Sequence, residues 1–361
     1  MGIVDNLHNV FALDQDFLRT SLAQFLQEQG LLPETALGAD VRRALAAPCK
    51  LLSSTPAAIA PQQIPAGIWA LIPLHIARYC NPGTNPQLLS CIALCSECFL
   101  CALDLLDDIE DDDSNALRLQ LGDARLLNVA TILLSLASQS LLSAIRYDLP
   151  YKRLHYLQSV LHQQWQRAAL GQHHDLLAEQ QAMEEIKPEE CLGITEDKSG
   201  SLVSLACSLA TISVDAPPII SGLFASAGSL VGIAHQLDND INDLSTLLNP
   251  ESPAIDYAYK SDLVRSKKTL PIVLANERIA HYQQLAALQC GCVPQLSSHA
   301  QAYDEALKAS LAVAFYYRSQ AALIIQQIET AYSRPLSPEL RFLLSLGGLP
   351  PQGVSDNAYT Q

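Results

Sequence analysis

The amino-acid sequence predicts an all-α fold, a bundle of antiparallel helices in one body. Three observations carry that expectation. Apolar residues recur at helical spacing in one long segment after another, and the breaks carry turn chemistry: Asn81-Pro82-Gly83, Asp148-Leu149-Pro150 and Pro217-Pro218. No strand alternation of any length occurs, and no internal repeat. The 361 residues are 49% hydrophobic and only 16% charged, against roughly 25% charged in ordinary soluble domains. That excludes a disordered or low-complexity chain and leaves material for a large core. Length alone argues for about two domains, but no linker interrupts the middle of the chain.

The first helix shows in Phe17, Leu18, Leu22, Phe25 and Leu26, with Gly30 as its stop. Residues 48–65, rich in Ala, Pro, Ser and Gln, read as a linker. Helical segments follow at about 66–79, 87–109, 124–147, 152–184, 190–213, 219–244, 268–289 and 299–331. Leu126–Ile145 runs 20 residues without a charge, near the length of a membrane span. Ser199–His235 carries only Asp215. Both stretches are rich in Ser, Thr and Ala and lack a flanking basic cluster, so they read as fully buried central helices, not transmembrane segments. The breaker-rich stretch 245–266, with Pro250 and Pro253, reads as a mobile loop, and the end of the chain as a surface extension.

The formal net charge is −15, with no basic stripe, so no nucleic-acid partner is expected. An acidic protein that handles a polyanion needs bound cations or locally placed Lys and Arg. The N-terminus carries Asp5, Asp14 and Asp16 and no basic region, so no signal peptide is expected. The ten cysteines then read as buried thiols of a cytoplasmic protein. Cys91, Cys95, Cys98 and Cys101 stand among Ile92, Leu94, Phe99 and Leu100, a pattern of core packing more than of metal binding.

The densest chemical signal is Asp107-Asp108-Ile109-Glu110-Asp111-Asp112-Asp113, which ends the otherwise apolar helix Leu88–Leu106. Asp107 and Asp111 are four apart and share a helix face. So many carboxylates repel one another, and at a helix C-terminus they oppose its dipole. Cations offset both costs, and hard oxygen ligands suit Mg²⁺. The bland alternative is a solvated acidic helix end. A second cluster, His235-Gln236-Leu237-Asp238-Asn239-Asp240-Ile241-Asn242-Asp243, again follows an apolar helix, with Asn239 and Asp243 on one face. Two oxygen-rich helix ends facing each other across a bundle make a metal site. Lys198, Lys267, Lys268 and Arg118 are the cations near these motifs.

Together these residues resemble the polyprenyl synthetase family, the trans-type class I isoprenoid enzymes. Asp107-Asp108-Ile109-Glu110-Asp111 resembles the first DDxxD motif. Gly171-Gln172-His173-His174-Asp175-Leu176 is similar to the GQxxDL segment, and Lys198-Ser199-Gly200-Ser201-Leu202 to the following lysine segment. Gln236–Asp243 resembles the second aspartate-rich motif, and Lys267-Lys268-Thr269-Leu270-Pro271 the KxTxP segment. The resemblance implies helices around a deep central apolar cavity. It divides the chain into an N-terminal helical extension and linker over 1–64, a catalytic domain over 65–335 and a tail over 336–361. It also implies an allylic prenyl diphosphate substrate and Mg²⁺ ions, about three of them, held by Asp107, Asp108, Asp111, Asn239 and Asp243. Arg118, Lys198, Gln236, Lys267 and Lys268 would bind the diphosphate. Asp107, Asp108, Asp111, Lys198 and Lys267 would carry catalysis, stabilising the charge of the departing group. Phe99, Ala102 and Leu103 would line the pocket for a tail of about C15 to C20, and the resemblance implies a homodimer.

The departures shape the expected reaction. Residues 65–73 hold no basic residue where elongating members carry a GGKxxRP motif, and the Arg-Arg-Gly after the first acidic motif is reduced to Arg118. A second diphosphate there would be poorly paired, and an unpaired buried charge costs several kcal/mol, of order 3–5. Asn239 stands where the family has Asp, as in terpene cyclases. The leading expectation is therefore a terpene synthase, although only 6% of the residues are aromatic. The alternatives are a prenyltransferase, to isopentenyl diphosphate or to a non-diphosphate acceptor, and an inactive partner subunit.

Overall fold

A computed structural model describes residues 3–54, 65–113, 115–248, 267–289 and 296–345, and the described residues contain helices and turns only. In chain order the helices are α1 (Ile3–Glu28), α2 (Ala36–Ala44), α3 (Ile68–Cys80), α4 (Pro86–Glu110), α5 (Ala116–Leu121), α6 (Asp123–Ser143) and α7 (Tyr151–Glu179). They continue with α8 (Pro188–Thr195), α9 (Ser201–Ser213), α10 (Pro218–Leu248), α11 (Leu270–Gln289), α12 (Leu296–Tyr332) and α13 (Pro338–Ser345). The fold is all-α, as the periodicity predicts.

The central element is α4. Asn85 caps it by accepting the Gln87 N–H at 2.9 Å, and Pro86 opens its first turn. Every residue from Leu88 to Ala102 is buried. A helix buried on all sides needs small side chains where neighbours cross, and Cys91, Ala93, Cys95, Ser96, Cys98, Cys101 and Ala102 supply them. Around it pack α3, α6 and α9, with α7 against α9 and α10 between α9 and α12. Burial pushes the thiols of Cys91, Cys101, Cys191 and Cys207 up to about 12, which keeps them protonated and inert. Cys290 and Cys292 lie outside the described residues.

The chain ends join the same core. Phe11, Leu22 and Leu26 of α1, Val41 of α2 and Leu340 and Leu343 of α13 belong to one apolar cluster with α3, α4 and α9. Asp14 ties α1 to α3 through His75 at 3.0 Å and Arg78 at 2.6 Å. The stretch after residue 335, expected at the surface, instead begins with a helix whose Leu340, Leu343 and Leu344 are buried. Its apolar spacing is too short to have stood out. Residues 346–361 lie outside the description, as do 55–64 of the expected linker and 249–266 of the expected loop. Ser245–Leu248, assigned to that loop from the sequence, continue α10.

Three helices are long and apolar enough to cross a membrane by length and composition: α4, α6 with its following turn, and α10. The apolar window of α4 is 89% buried, but those of α6 and α10 are 44% buried. The expectation of full burial for Leu126–Ile145 is thus corrected. α6 buries Leu126, Val129, Ala130, Leu133 and Ala137 and leaves Leu127 and Leu142 exposed, as a helix on the rim of a bundle does. Ser199–His235 spans two helices; α9 is buried almost throughout, and α10 on one side.

Candidate active site

The first acidic motif is where α4 stops. Asp112 takes a left-handed φ of 52°, its N–H reaches the Ile109 carbonyl at 3.2 Å, and the Asp113 N–H reaches the Asp108 carbonyl at 2.9 Å. This is a Schellman closure, with an aspartate in the position glycine usually fills. Asn115 donates to Asp108 Oδ2 at 2.7 Å and accepts the Arg118 N–H at 2.8 Å, capping α5. The closure leaves Asp107, Asp108, Asp111 and Asp113 lining a cavity of about 1040 Å³.

Lysines neutralise this rim. Lys198 Nζ lies 2.7 Å from Asp107, 3.2 Å from Asp175 and 3.9 Å from Asp111. Lys267 pairs directly with Asp111, which is 2% exposed. Burial works against the Lys198 charge, but Asp107, Asp175 and Asp111 outweigh it and raise its pKa. Burial raises the Asp107 carboxyl, with Asp111 adding to it, while Lys198 opposes the shift.

Lys198 owes its place to a π-helical turn, Glu196–Gly200, between α8 and α9. Such wide turns push a side chain out of helical register and recur at functional sites. Here the turn is held by two helices, α7 and α10. Arg167 of α7 pairs with Glu196 and Asp197, each at 2.6 Å. A Cβ on Gly171 of α7 would lie 2.5 Å from Lys198 N, and one on Gly232 of α10 would lie 2.7 Å from the Ser199 carbonyl oxygen. Ser199 Oγ donates to Gln236 Oε1 at 3.0 Å, and Gln236 Nε2 donates to Asp240 at 2.9 Å.

The second acidic motif sits within α10, not beyond its end, because the helix runs on to Leu248. Asn239, Asp240 and Asp243 line the same 1040 Å³ cavity as the first motif, with Lys198, Lys267, Lys268 and Gln236. Asp238 instead pairs with Arg318 of α12. The two acidic stretches therefore face one space. The donors are carboxylates and a carboxamide, which suits Mg²⁺. Among the described residues no three His, Cys, Asp or Glu side chains are gathered to hold an ion by themselves.

A second, smaller pocket of about 300 Å³ adjoins this cavity and shares Asp104, Asp107, Lys198 and Gln236 with it. Leu103, Leu106, Trp165, Ala168, Leu176 and Leu202 give its apolar wall. Of the expected tail residues only Leu103 lines it. Phe99 and Ala102 are fully buried and do not line it; Phe99 packs edge to face against Trp165, with centroids 5.9 Å apart.

Arg118 is a further correction. Its five N–H donors reach Asp123 Oδ1 at 2.7 Å and Oδ2 at 3.1 Å, Asp112 at 2.6 Å, and the carbonyls of Asp108 and Asp113 at 3.4 and 3.2 Å. It fastens the segment after the acidic motif and does not line either cavity. Sequence reasoning missed Asp240, whose only signal is its spacing from Gln236, and Asp175 as the partner of Lys198. It also missed Lys50, which is buried, lines the larger cavity and pairs with Asp104, and Glu97, which lines neither cavity and accepts the Leu51 N–H at 2.6 Å. Burial raises the Glu97 carboxyl to about 7, with Lys50 opposing the shift.

A family model described as polyprenyl synthetase matches residues 68–330, a span that contains both acidic motifs and both lysine segments. The chain belongs to the polyprenyl synthetase family. Solved structures agree in fold. A polyprenyl synthase from Caulobacter crescentus CB15, in complex with calcium and isoprenyl diphosphate, superposes with a TM-score of 0.66 at 18% identity, covering 96% of each chain. A heptaprenyl diphosphate synthase from Staphylococcus aureus gives 0.64 at 16% identity, over 91% of this chain and 96% of that one. A geranylgeranyl pyrophosphate synthase from Corynebacterium glutamicum, in complex with isoprenyl diphosphate and magnesium, gives 0.61 at 16% identity, over 92% and 96%. At these identities the likeness speaks to the fold alone. No curated protein matches the sequence. For this polyprenyl synthetase the family and the fold are thereby shown.

Proposed function

We propose that the protein is a Mg²⁺-dependent prenyltransferase that ionises an allylic prenyl diphosphate and passes the prenyl group to an acceptor. The observation that carries this reading is the convergence of both acidic motifs and Lys198, Lys267 and Lys268 on one cavity beside a pocket with an apolar wall. Membership in the polyprenyl synthetase family, and relatives named for making prenyl diphosphates, favour transfer over the cyclisation expected from Asn239. A cytoplasmic location accords with the free cysteines among the described residues.

Asp107, Asp108, Asp111, Asn239 and Asp243 would hold the ions. When bound, Mg²⁺ supplies Lewis-acid stabilisation of charge on the departing diphosphate. Lys198 and Lys267, now on Asp107 and Asp111, would turn to the diphosphate oxygens as the ions take over the carboxylates. Lys268 and Gln236 border the same space. The allylic C1–O bond breaks, and its electron pair leaves with the diphosphate. The acceptor then bonds to C1, and the proton it releases passes to a diphosphate oxygen. The apolar wall around Leu103 and Leu202 keeps water from the cation.

One observation favours an acceptor other than a second diphosphate: every donor of Arg118 is committed to its own segment. The test is incubation with allylic diphosphates and Mg²⁺, with and without isopentenyl diphosphate, followed by product analysis. Longer diphosphates formed only with isopentenyl diphosphate identify elongation. Hydrocarbons formed without it identify a cyclase and overturn the transfer reading. No diphosphate release from any allylic substrate identifies an inactive subunit.

A further inference from the structure

We propose that Glu97 is a positioning residue: it fixes the turn that presents Lys50 to the larger cavity, and through Lys50 it governs how tightly that cavity holds a diphosphate. The effect on diphosphate rests on the reading of the cavity as the prenyl-transfer site; the placing of Lys50 does not. Glu97 is 0% exposed in the middle of α4, among apolar and small side chains. Taking a carboxyl out of water costs stability. Its Oε2 has no hydrogen-bond partner among the described residues, which adds to that cost. A well-packed apolar side chain would carry neither cost. What the carboxyl supplies instead is an acceptor that reaches out of its helix, to the Leu51 N–H at 2.6 Å.

Leu51 belongs to a turn clamped on both sides of Lys50. Cys49 takes a left-handed φ of 65°, and its carbonyl accepts the Gly67 N–H at 2.9 Å. The Leu51 carbonyl accepts Arg19 Nε of α1 at 2.8 Å, so with Glu97 both polar groups of that peptide are held. Fixing both neighbours fixes where the Lys50 side chain starts. That side chain lines the larger cavity and pairs with Asp104, and Lys50 is 6% exposed. Burial works against its charge, but its neighbours, Asp104 foremost, outweigh that and raise its pKa. Asp104, Asp107 and Asp111 are spaced to share one helix face. Lys50, Lys198 and Lys267 pair with them in that order. Asp104 is about 4.5 Å along the axis from Asp107, so a diphosphate held beside Asp107 stands within one helical turn of Lys50. Glu97, which touches neither cavity, therefore acts on the site through that ammonium.

The experiment has two readouts on the full-length protein. The first is the rate at which an amine-acetylating reagent modifies Lys50, followed by peptide mass spectrometry. Lys50 is expected to react at least tenfold more slowly than exposed Lys308. Glu97→Gln keeps an oxygen for the Leu51 N–H and should stay within twofold of the unmodified protein. Glu97→Leu should speed Lys50 tenfold or more and leave Lys198 within twofold; Glu97→Ala gives the same reading if the leucine variant does not fold. The second readout is calorimetric binding of inorganic pyrophosphate with Mg²⁺. Lys50→Gln and Glu97→Leu should each weaken it at least fivefold, Glu97→Gln less than twofold. The double variant should bind no more weakly than Lys50→Gln alone, since the two residues act as one. Unchanged Lys50 reactivity in Glu97→Leu, Lys50 and Lys198 loosening together, unweakened pyrophosphate binding, or losses that add in the double variant would each overturn the proposal. If the unmodified protein binds no pyrophosphate, the transferase reading falls, and acetylation still decides whether Glu97 places Lys50.

Discussion

Single side chains decide whether the cavity is a reaction centre. Asp107 and Asp111 lie on one face of α4, and Lys198 and Lys267 compensate them at contact distance. Removing a carboxylate from such a set strands the lysine as well as the metal. Asp107→Ala is expected to lower the steady-state rate of product formation by at least 10²–10³-fold, with an unchanged far-ultraviolet circular dichroism spectrum. Glu97 gives a prediction about stability. Its carboxyl is raised from 4.5 to about 7 by burial, so the folded state holds the proton more tightly than the unfolded state. The sign follows: this contribution is full below about pH 4.5, falls as pH rises, and is gone above about 7. It amounts to roughly 3 kcal/mol across that window. Glu97→Gln should remove that slope, seen as a smaller difference between urea midpoints at pH 5 and pH 7.5. The residues of the two acidic motifs were readable because carboxylates crowded against an apolar helix have few other uses. Glu97 was not, because one acid inside a long apolar segment reveals neither its burial nor its partner.

Helices and turns put those side chains in range. The π-turn at Glu196–Gly200 aims Lys198, and Gly171 and Gly232 pack against it more closely than any Cβ permits. Gly171→Ala and Gly232→Ala are each expected to destabilise the protein by about 1–3 kcal/mol and to lower kcat more than they raise KM. Denaturant titration and steady-state kinetics on the same preparations check this. An unchanged kcat would mean that Lys198 does not need the turn. The long helices were legible from period and breakers, and so was the turn chemistry between them. The shorter helices α2, α5 and α13 were not, since six to nine residues hold too few periods. The π-turn has no sequence signature at all; it is imposed by the glycines on two other helices. Arg118 shows the converse. Its proximity to the acidic run was legible, but five local acceptors claim it, and only geometry reveals that.

The bundle as a whole buries α4 in its middle and opens the cavity between the ends of α4, α10 and the segment before α11. Its rim leaves large apolar side chains in water, among them Leu127 and Leu142 of α6 and Tyr151 and Tyr156 of α7. Exposed apolar groups of this size mark contact surfaces when they are contiguous, and the homodimer expected from the family resemblance would cover such a surface. Sedimentation velocity at micromolar concentration should give the mass of two chains; the mass of one would contradict it. Everything proposed for the chemistry depends on the two acidic stretches acting together on one diphosphate. Pyrophosphate release from an allylic diphosphate measures that, in the unmodified protein and in Asp107→Ala and Asp243→Ala, with Mg²⁺ and with chelator. Release that requires Mg²⁺ and is lost in both variants is the predicted result. Release that survives chelation, or that either variant retains in full, would contradict it.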